Sequence, residues 1–303
     1  MRKNHCNRIG ETTSDRWFNI LCTAIVVILL LIVAYPVIYV ISASFSNAID
    51  LSSGNVWLWP VRPNLEAYER LVQYRYIWIG YRNTIFYTVV GTLINIAVTL
   101  MCAYPLARRN LRGRGPITFL FTFTMLFSGG MIPNYILIKN LGLLNSVWSV
   151  ILPGAMSVYN MIVARTFIQA NVPDELWESA QLDGCGNTRF FFQMVLPLIK
   201  PIIAVLALWY AVGHWNSYFS AFMYLRDTEK YPLQLFLKEL LVQSTRLSEV
   251  VRDPSEISLG TAQYLHLSIK YAIIVISSAP LMALYPFVQK HFRNGVLVGS
   301  VKG

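Results

Sequence analysis

PDELWESAQLDGCGNTRFFFQMVLPLIKP, residues Pro173 to Pro201, is a charged, helix-forming insert between two apolar segments of membrane-spanning length. Proline is tolerated in a first helical turn, so Pro173 suits a helix start, and Asp174 and Glu175 suit the positive end of the helix dipole. Gly184 supplies a left-handed stop after roughly 10 residues, which makes a short helix of ~15 Å. Thr188 is placed to cap a second helical turn, and Leu196-Pro197 to end it and turn the chain back toward the bilayer. A membrane protein that keeps such a helix, bend and helix outside the lipid has a partner for it.

Composition reaches the same class independently. Of 303 residues, 55% are hydrophobic and 13% charged, whereas charged residues make up about a quarter of an ordinary soluble domain. Uncharged runs cover Trp17 to Ile49, Thr84 to Ala107, Pro116 to Ile138, Asn140 to Ala164, Pro201 to Leu225 and Tyr271 to Gln289. Each reaches the ~20 residues that a spanning helix needs. The expectation is an all-α membrane protein of six transmembrane helices, near 18–44, 84–107, 117–138, 146–168, 201–224 and 269–289. These form a single domain over 1–303, with 171–200 as a loop and the first helix peripheral to the other five. Pro36, Pro105, Pro133, Pro153 and Pro280 are tolerable there because neighbouring helices re-satisfy the freed backbone. Ser42-Ala43-Ser44 resembles a signal cleavage site, but an apolar run of about 20 residues from Ile20 exceeds a signal core, so the helix is expected to remain.

Basic residues near helix ends favour the cytoplasmic side. Arg108, Arg109, Arg112 and Arg114 crowd one short loop without an acid. Arg2, Lys3, Arg8 and Arg16 precede the first helix, and Lys290, Arg293 and Lys302 follow the last. Both termini and the 171–200 loop then face the cytoplasm. The net charge of +10 is explained by basic loops at an anionic membrane surface and does not imply nucleic acid. The outer face carries Ser46 to Gly80 and Arg226 to Ser268, the second with an amphipathic helix around Leu233 to Leu241. Trp57, Trp59 and Trp78 read as interfacial anchors, the alternative being contact with a docking protein.

No catalytic or metal-binding pattern emerges. There is no phosphate-cradling glycine-rich loop ending in Lys-Ser or Lys-Thr, and Gly113-Arg114-Gly115-Pro116 reads as a turn. His5, His214, His266 and His291 are scattered. Cys6, Cys22, Cys102 and Cys185 have neither zinc spacing nor an outer-face pair.

Glu178-Ser179-Ala180, Asp183-Gly184, Leu196-Pro197 and Pro201 resemble the EAA loop of permease subunits in binding-protein-dependent ABC importers. Ser179 replaces the usual first alanine, and Cys185 stands where another is common. Arg82-Asn83-Thr84 opening a membrane segment, Trp215-Asn216-Ser217-Tyr218 inside another, and the ending Tyr285-Pro286-Phe287 through Gly299-Ser300-Val301-Lys302-Gly303 resemble the carbohydrate-uptake (MalG-like) branch. The resemblance implies a type I ABC importer permease fold in the bacterial cytoplasmic membrane. The chain would be a non-enzymatic subunit that imports sugars or oligosaccharides and forms half of the pore with a second permease. Its coupling residues would be Glu178, Ser179, Ala180, Asp183, Gly184, Leu196 and Pro197, docked on a cytoplasmic ABC ATPase dimer that holds the ATP and Mg. This chain would bind no cofactor and would take sugar from an extracytoplasmic solute-binding protein. Aromatic faces with amide and hydroxyl groups suit sugars, so Trp209, His214, Trp215, Asn216 and Tyr218 are candidates for the substrate pathway, against a helix-packing role. Asn134, Tyr135, Tyr159 and Asn160 are weaker candidates, and Asn95 and Thr99 read as packing contacts. Two alternatives stand: the same architecture carrying amino acids, phosphate or a polyol, and a membrane-embedded enzyme or receptor.

Overall fold

The computed structural model describes residues 13–242 and 259–295, and the regular structure among them is helical. In chain order the helices are α1 (Thr13–Phe45), α2 (Ala48–Ser52), α3 (Glu66–Gln73), α4 (Arg75–Ala107), α5 (Arg114–Leu126), α6 (Met131–Asn140), α7 (Trp148–Ile151), α8 (Val158–Asn171), α9 (Asp174–Leu182), α10 (Asn187–Phe190), α11 (Leu196–Leu198), α12 (Lys200–Asn216), α13 (Phe219–Tyr224), α14 (Leu233–Val242) and α15 (Leu259–Gly295). Two compact units divide them, the first running to Leu71 and resuming up to Val275 in α15, the second from Val72 through α14 and again from Ile276.

In the first unit, α1 has a window of mean hydropathy 3.0 with none of it buried. Ser42, Ala43 and Ser44, near its end, are buried. There Ala43, Leu51 and Val56 form a small core with Tyr39, Val61, Leu267 and Tyr271 packed on it. The Tyr39 and Tyr271 rings meet edge to face at 5.8 Å.

The second unit is organised by α4. Its buried Gly80, Thr84, Tyr87, Gly91, Asn95, Thr99 and Ala103 recur every three or four residues, so one helical face offers mostly small or polar side chains to its neighbours. The small residues permit close approach: a Cβ on Gly80 would lie 2.9 Å from Leu233 Cα of α14. Around the end of α4, Leu100, Ala103 and Leu106 join Met161 and Ala164 of α8 and Leu206 of α12 in the main apolar core.

Among the described residues three helices are long and apolar enough to cross a membrane, and the count reaches six if each of three bent pairs is one span. The expected continuous helices 117–138, 146–168 and 201–224 are each interrupted. Between α5 and α6 the chain bends by 112° at Phe127 to Gly130, where Gly130 has φ 89°. Pro153 and Gly154 interrupt α7 and α8, with a 50° bend, and Ser157 caps α8 by accepting from Asn160 N. The helix expected over 201–224 ends at Asn216 and resumes as α13 at Phe219, so Trp215-Asn216 closes a helix rather than lying inside one. The helix expected from residue 84 begins at Arg75, which puts Arg82-Asn83-Thr84 two turns in. The last helix extends beyond 269–289 at both ends.

Candidate functional site

The stretch after Pro173 folds as a short exposed helix with a defined stop. Pro173 is extended (φ −62°, ψ 147°) immediately before α9, and Asp174 and Glu175 occupy its first turn. At the other end Gly184 has φ 70°, Gly184 N donates to Gln181 O at 3.0 Å, and Cys185 N donates to Ala180 O at 2.9 Å. This is a Schellman closure, which satisfies carbonyls that the helix end would orphan. Ala180 is buried against the main core while Glu178, Ser179, Asp183 and Gly184 face outward. A small residue is therefore required at 180, and its neighbours are left for another surface. Leu182 is 90% exposed, an apolar side chain with no cover.

Thr188 does not cap the next helix, because α10 already begins at Asn187 with Gly186 before it. A π-helical turn, Phe191–Val195, leads into α11. Pro197 does not end the helix either. The break falls at Ile199 (φ −96°, ψ 11°), and Pro201 sits in the first turn of α12. Two prolines without N–H groups flank that residue, and the chain turns by 80° there.

The basic loop after α4 packs onto this stretch. The Arg108 guanidinium lies 3.7 Å from the centre of the Trp177 ring system, and its Nη1 donates to Tyr104 Oη and Asn187 Oδ1, each at 3.1 Å. Arg109 Nε lies 3.2 Å from Asp174 Oδ2. Arg165 Nε donates to Leu106 O at 3.0 Å and Gln169 Nε2 to Ala107 O at 3.1 Å, so side chains of α8 cap the last carbonyls of α4. A cleft of about 430 Å³ lies among these ends, lined by Arg108, Arg109, Arg114, Gln169, Asp174 and Glu175 among others. In the sequence Arg108 reads only as part of a basic loop that sets topology, and Trp177 is not singled out. A tryptophan in the middle of an exposed polar helix, and a basic cluster without acids, were the available signals.

The pathway candidates divide into two groups. His214 Nε2 is 2.6 Å from Asn95 Oδ1, and Asn95 Nδ2 donates to Gly154 O. With its amide protons directed at a carbonyl, Asn95 presents its oxygen to the ring, which assigns the proton to His214 Nε2. Gly91 makes the room: a Cβ there would be 2.5 Å from that nitrogen. One turn away Tyr210 Oη pairs with Thr99 Oγ1 at 2.7 Å and accepts from Ser157 N at 3.1 Å. Gly154 O and Ser157 N, freed by the break before α8, are thus sealed by α4 and α12. Asn95 and Thr99 are packing contacts as expected. Trp215, 5% exposed, donates from Nε1 to Ser277 O at 3.0 Å. Trp209, Asn216 and Tyr218 are instead exposed. The Lys238 ammonium lies 4.7 Å from the Tyr218 ring centre and 4.3 Å from that of Phe222.

Among the described residues no group of three His, Cys, Asp or Glu is arranged to hold a metal ion. The family described as "Binding-protein-dependent transport system inner membrane component" matches residues 77–298. The polygalacturonan/rhamnogalacturonan transport system permease protein YtcP of Bacillus subtilis (strain 168) is 41% identical over 289 residues, 95% of this chain and 99% of that protein. A chain in the crystal structure of a bacterial ABC transporter involved in the import of the acidic polysaccharide alginate is 33% identical. It superposes with a TM-score of 0.83 over 93% of this chain and 99% of that one. A chain of the bacterial alginate ABC transporter in complex with an alginate pentasaccharide-bound periplasmic protein shares the fold at a TM-score of 0.58 and 15% identity, over 93% of this chain and 95% of its own.

Proposed function

Since this chain belongs to the family of inner-membrane components of binding-protein-dependent transport systems, and is a permease subunit of a carbohydrate ABC importer rather than an enzyme, we propose that residues 173–201 are its coupling element. The observation that carries this reading is the Arg108 guanidinium over Trp177. It holds a solvent-facing helix on the end of α4, to which Arg165 and Gln169 of α8 are bonded, so a push on α9 is delivered to α4 and through it to α8. Glu178, Ser179, Asp183 and Leu182 form the contact surface for a cytoplasmic ATPase subunit, and Gly184 sets the angle of the helix. Leu196 and Pro197 belong to the bent connection that passes the motion to α12. ATP and Mg are held by the ATPase dimer, whose closure rocks packed helices between two arrangements. A second permease completes the pore, and a solute-binding protein delivers sugar at the opposite face. The basic loop, the coupling element and both termini lie on the cytoplasmic side.

The substrate reading narrows with the geometry. Trp209, Asn216 and Tyr218 are the pathway candidates with exposed side chains, whereas His214 and Trp215 act through helix packing. We infer oligosaccharides bearing carboxylates as the cargo, because Lys238 places a cation over the exposed rings of Tyr218 and Phe222. A sugar face can stack on the rings while its carboxylate meets the ammonium. The named relatives that carry acidic polysaccharides support this class.

The test of the coupling element is Leu182→Asp in the complete, reconstituted importer. Replacing an uncovered apolar contact by a charge at an interface is expected to abolish sugar uptake and sugar-stimulated ATP hydrolysis while all subunits reach the membrane. Full uptake in that variant, together with no crosslink from Glu178→Cys to the ATPase, removes the assignment.

A further inference from the structure

The connection between α2 and α3 is laced to the end of α1. Ser42 Oγ donates to Leu58 O at 2.6 Å, Val61 N to Ser46 Oγ at 3.0 Å, Asn47 N to Val61 O at 3.1 Å and Asn64 N to Phe45 O at 2.9 Å. Arg62, at φ 46°, is held by two 2.6 Å hydrogen bonds to the Asp50 carboxylate. Val56 is directed into the small core. Between these fixed points the chain turns Trp57, Leu58 and Trp59 outward, with the two tryptophans 69% and 82% exposed. Such apolar exposure on a restrained loop calls for a partner.

The level of the loop on α1 identifies that partner. Ser42 binds the carbonyl of Leu58, so the two tryptophans flank a point at the height of Ser42. At the other end of the same helix stands Trp17, also exposed. From Trp17 to Ser42 an α-helix rises about 38 Å. A bilayer has a hydrocarbon core of about 30 Å, and about 40 to 45 Å with its headgroup regions. Between these marks the surface of α1 is almost wholly exposed aliphatic side chain, from Ile20 through Ile41. Indole rings prefer the two membrane–water boundaries.

We propose that Trp57 and Trp59 form a preorganised anchor in the lipid interface at the far side of the bilayer from Trp17, so that α1 and its laced loop grip the membrane at both surfaces. The partner is the lipid headgroup boundary, and the solute-binding protein is the competing occupant.

The test uses the full importer with Cys6, Cys22, Cys102 and Cys185 replaced by Ser, reconstituted in phosphatidylethanolamine and phosphatidylglycerol bilayers. Spin labels are placed singly at Trp57→Cys and Trp59→Cys, positions exposed enough to accept a label without repacking. Power saturation with oxygen and with a water-soluble nickel complex should place both labels within about 10 Å of the phosphate level, before and after the solute-binding protein is added. As a second reading on native side chains, a lipid brominated high on the acyl chain should quench wild-type tryptophan fluorescence more than that of the Trp57→Phe, Trp59→Phe double variant, measured as the quenched intensity. Labels fully open to the nickel complex, or shielded only when the solute-binding protein is present, overturn the proposal. The second outcome assigns the loop to that protein.

Discussion

The Arg108 guanidinium lies over the indole of Trp177 at 3.7 Å, joining the loop that follows α4 to the middle of α9. Nη1 of the same group also reaches Tyr104 of α4 and Asn187 of α10, so one side chain joins α9 to the end of α4 and the start of α10. A partly exposed cation–π contact contributes about 0.5 to 1 kcal/mol, and each hydrogen bond to a charged group somewhat more.

Arg108→Ala is therefore expected to loosen α9 by about 2 kcal/mol in all and to lower sugar-stimulated ATP hydrolysis and uptake by about tenfold or more. Arg108→Lys retains the charge but loses the planar fork and should fall between. Hydrogen exchange across residues 174–182, measured beside membrane levels of each subunit, checks the cause. Unchanged exchange in Arg108→Ala rejects the clamp.

At Gly184 the backbone is left-handed, yet a Cβ would meet nothing within 4 Å. The cost of substitution is conformational alone. Gly184→Val is expected to cost about 1 to 2 kcal/mol and to uncouple the complex, whereas Gly184→Asn, which visits this conformation more readily, should remain near wild type. Equal coupling by the two variants in the ATPase assay excludes the conformational account. Glu178→Ala removes one exposed charge, worth about 0 to 1 kcal/mol, and should be milder than Gly184→Val.

Two glycines of the helix bundle make a paired test. A methyl at Gly91 collides with the His214 ring, while one at Gly213 meets nothing within 4 Å. Gly91→Ala is expected to destabilise the detergent-purified protein by about 1 to 2 kcal/mol, as overpacking and loss of an interhelical hydrogen bond together imply. Gly213→Ala should stay within about 0.5 kcal/mol of wild type or gain slightly. Thermal melting of the two variants decides.

Arg62, through its hydrogen bonds and charge, holds the Asp50 carboxyl below its ordinary value of 3.8. A depressed carboxylate contributes stability that is complete above its ordinary range and is lost as the pH falls through the folded value. Mobility of the 57–62 loop should thus be constant from neutral pH down to about 5 and rise only below about 4. Asp50→Asn should give a loop that is looser at neutral pH and insensitive to acid. A spin label at position 59 reports both, and loosening of wild type near pH 6 contradicts the assignment.

The cargo assignment is tested with oligogalacturonate and its neutral methyl ester, supplied with the solute-binding protein to the complete importer. Lys238→Gln is expected to lower uptake of the acid form by about fivefold, roughly 1 kcal/mol for a partly exposed pair, and to leave the ester unchanged. Equal losses for both sugars mean that Lys238 serves packing only. If the wild-type complex ignores both, the carboxylate-bearing cargo itself is wrong.

The helical class, the short helix from Asp174 and the left-handed stop at Gly184 were legible in the sequence, because charge-free length, dipole-compatible acids and a glycine are local signals. Helix boundaries were less so. Uncharged length cannot reveal that Gly130, Pro153-Gly154 and Ser217 interrupt the apolar runs, since proline and glycine are also tolerated inside continuous membrane helices. Arg75 to Asn83 precede the uncharged run that starts at Thr84, although they stand on the same helix. His214 and Trp215 were grouped with Trp209, Asn216 and Tyr218 on proximity in sequence. Their separation depends on partners far along the chain, Asn95 and Ser277, which no spacing rule supplies. The same is true of Arg108 and Trp177. The C-terminal pattern from Gly299 to Gly303 lies outside the described residues.

The sealing of Gly154 O and Ser157 N has a bearing on biogenesis. The chain enters the membrane from its N-terminus, so Asn95 is already present when the α7–α8 break arrives and can take the Gly154 carbonyl at once. Ser157 N must wait for Tyr210, and the Asn95 oxygen for His214, both synthesised later. An unpaired backbone group in lipid costs several kcal/mol. The middle of this protein is therefore an unfinished structure until α12 inserts, and a chain truncated before Tyr210 keeps neither of these two partners.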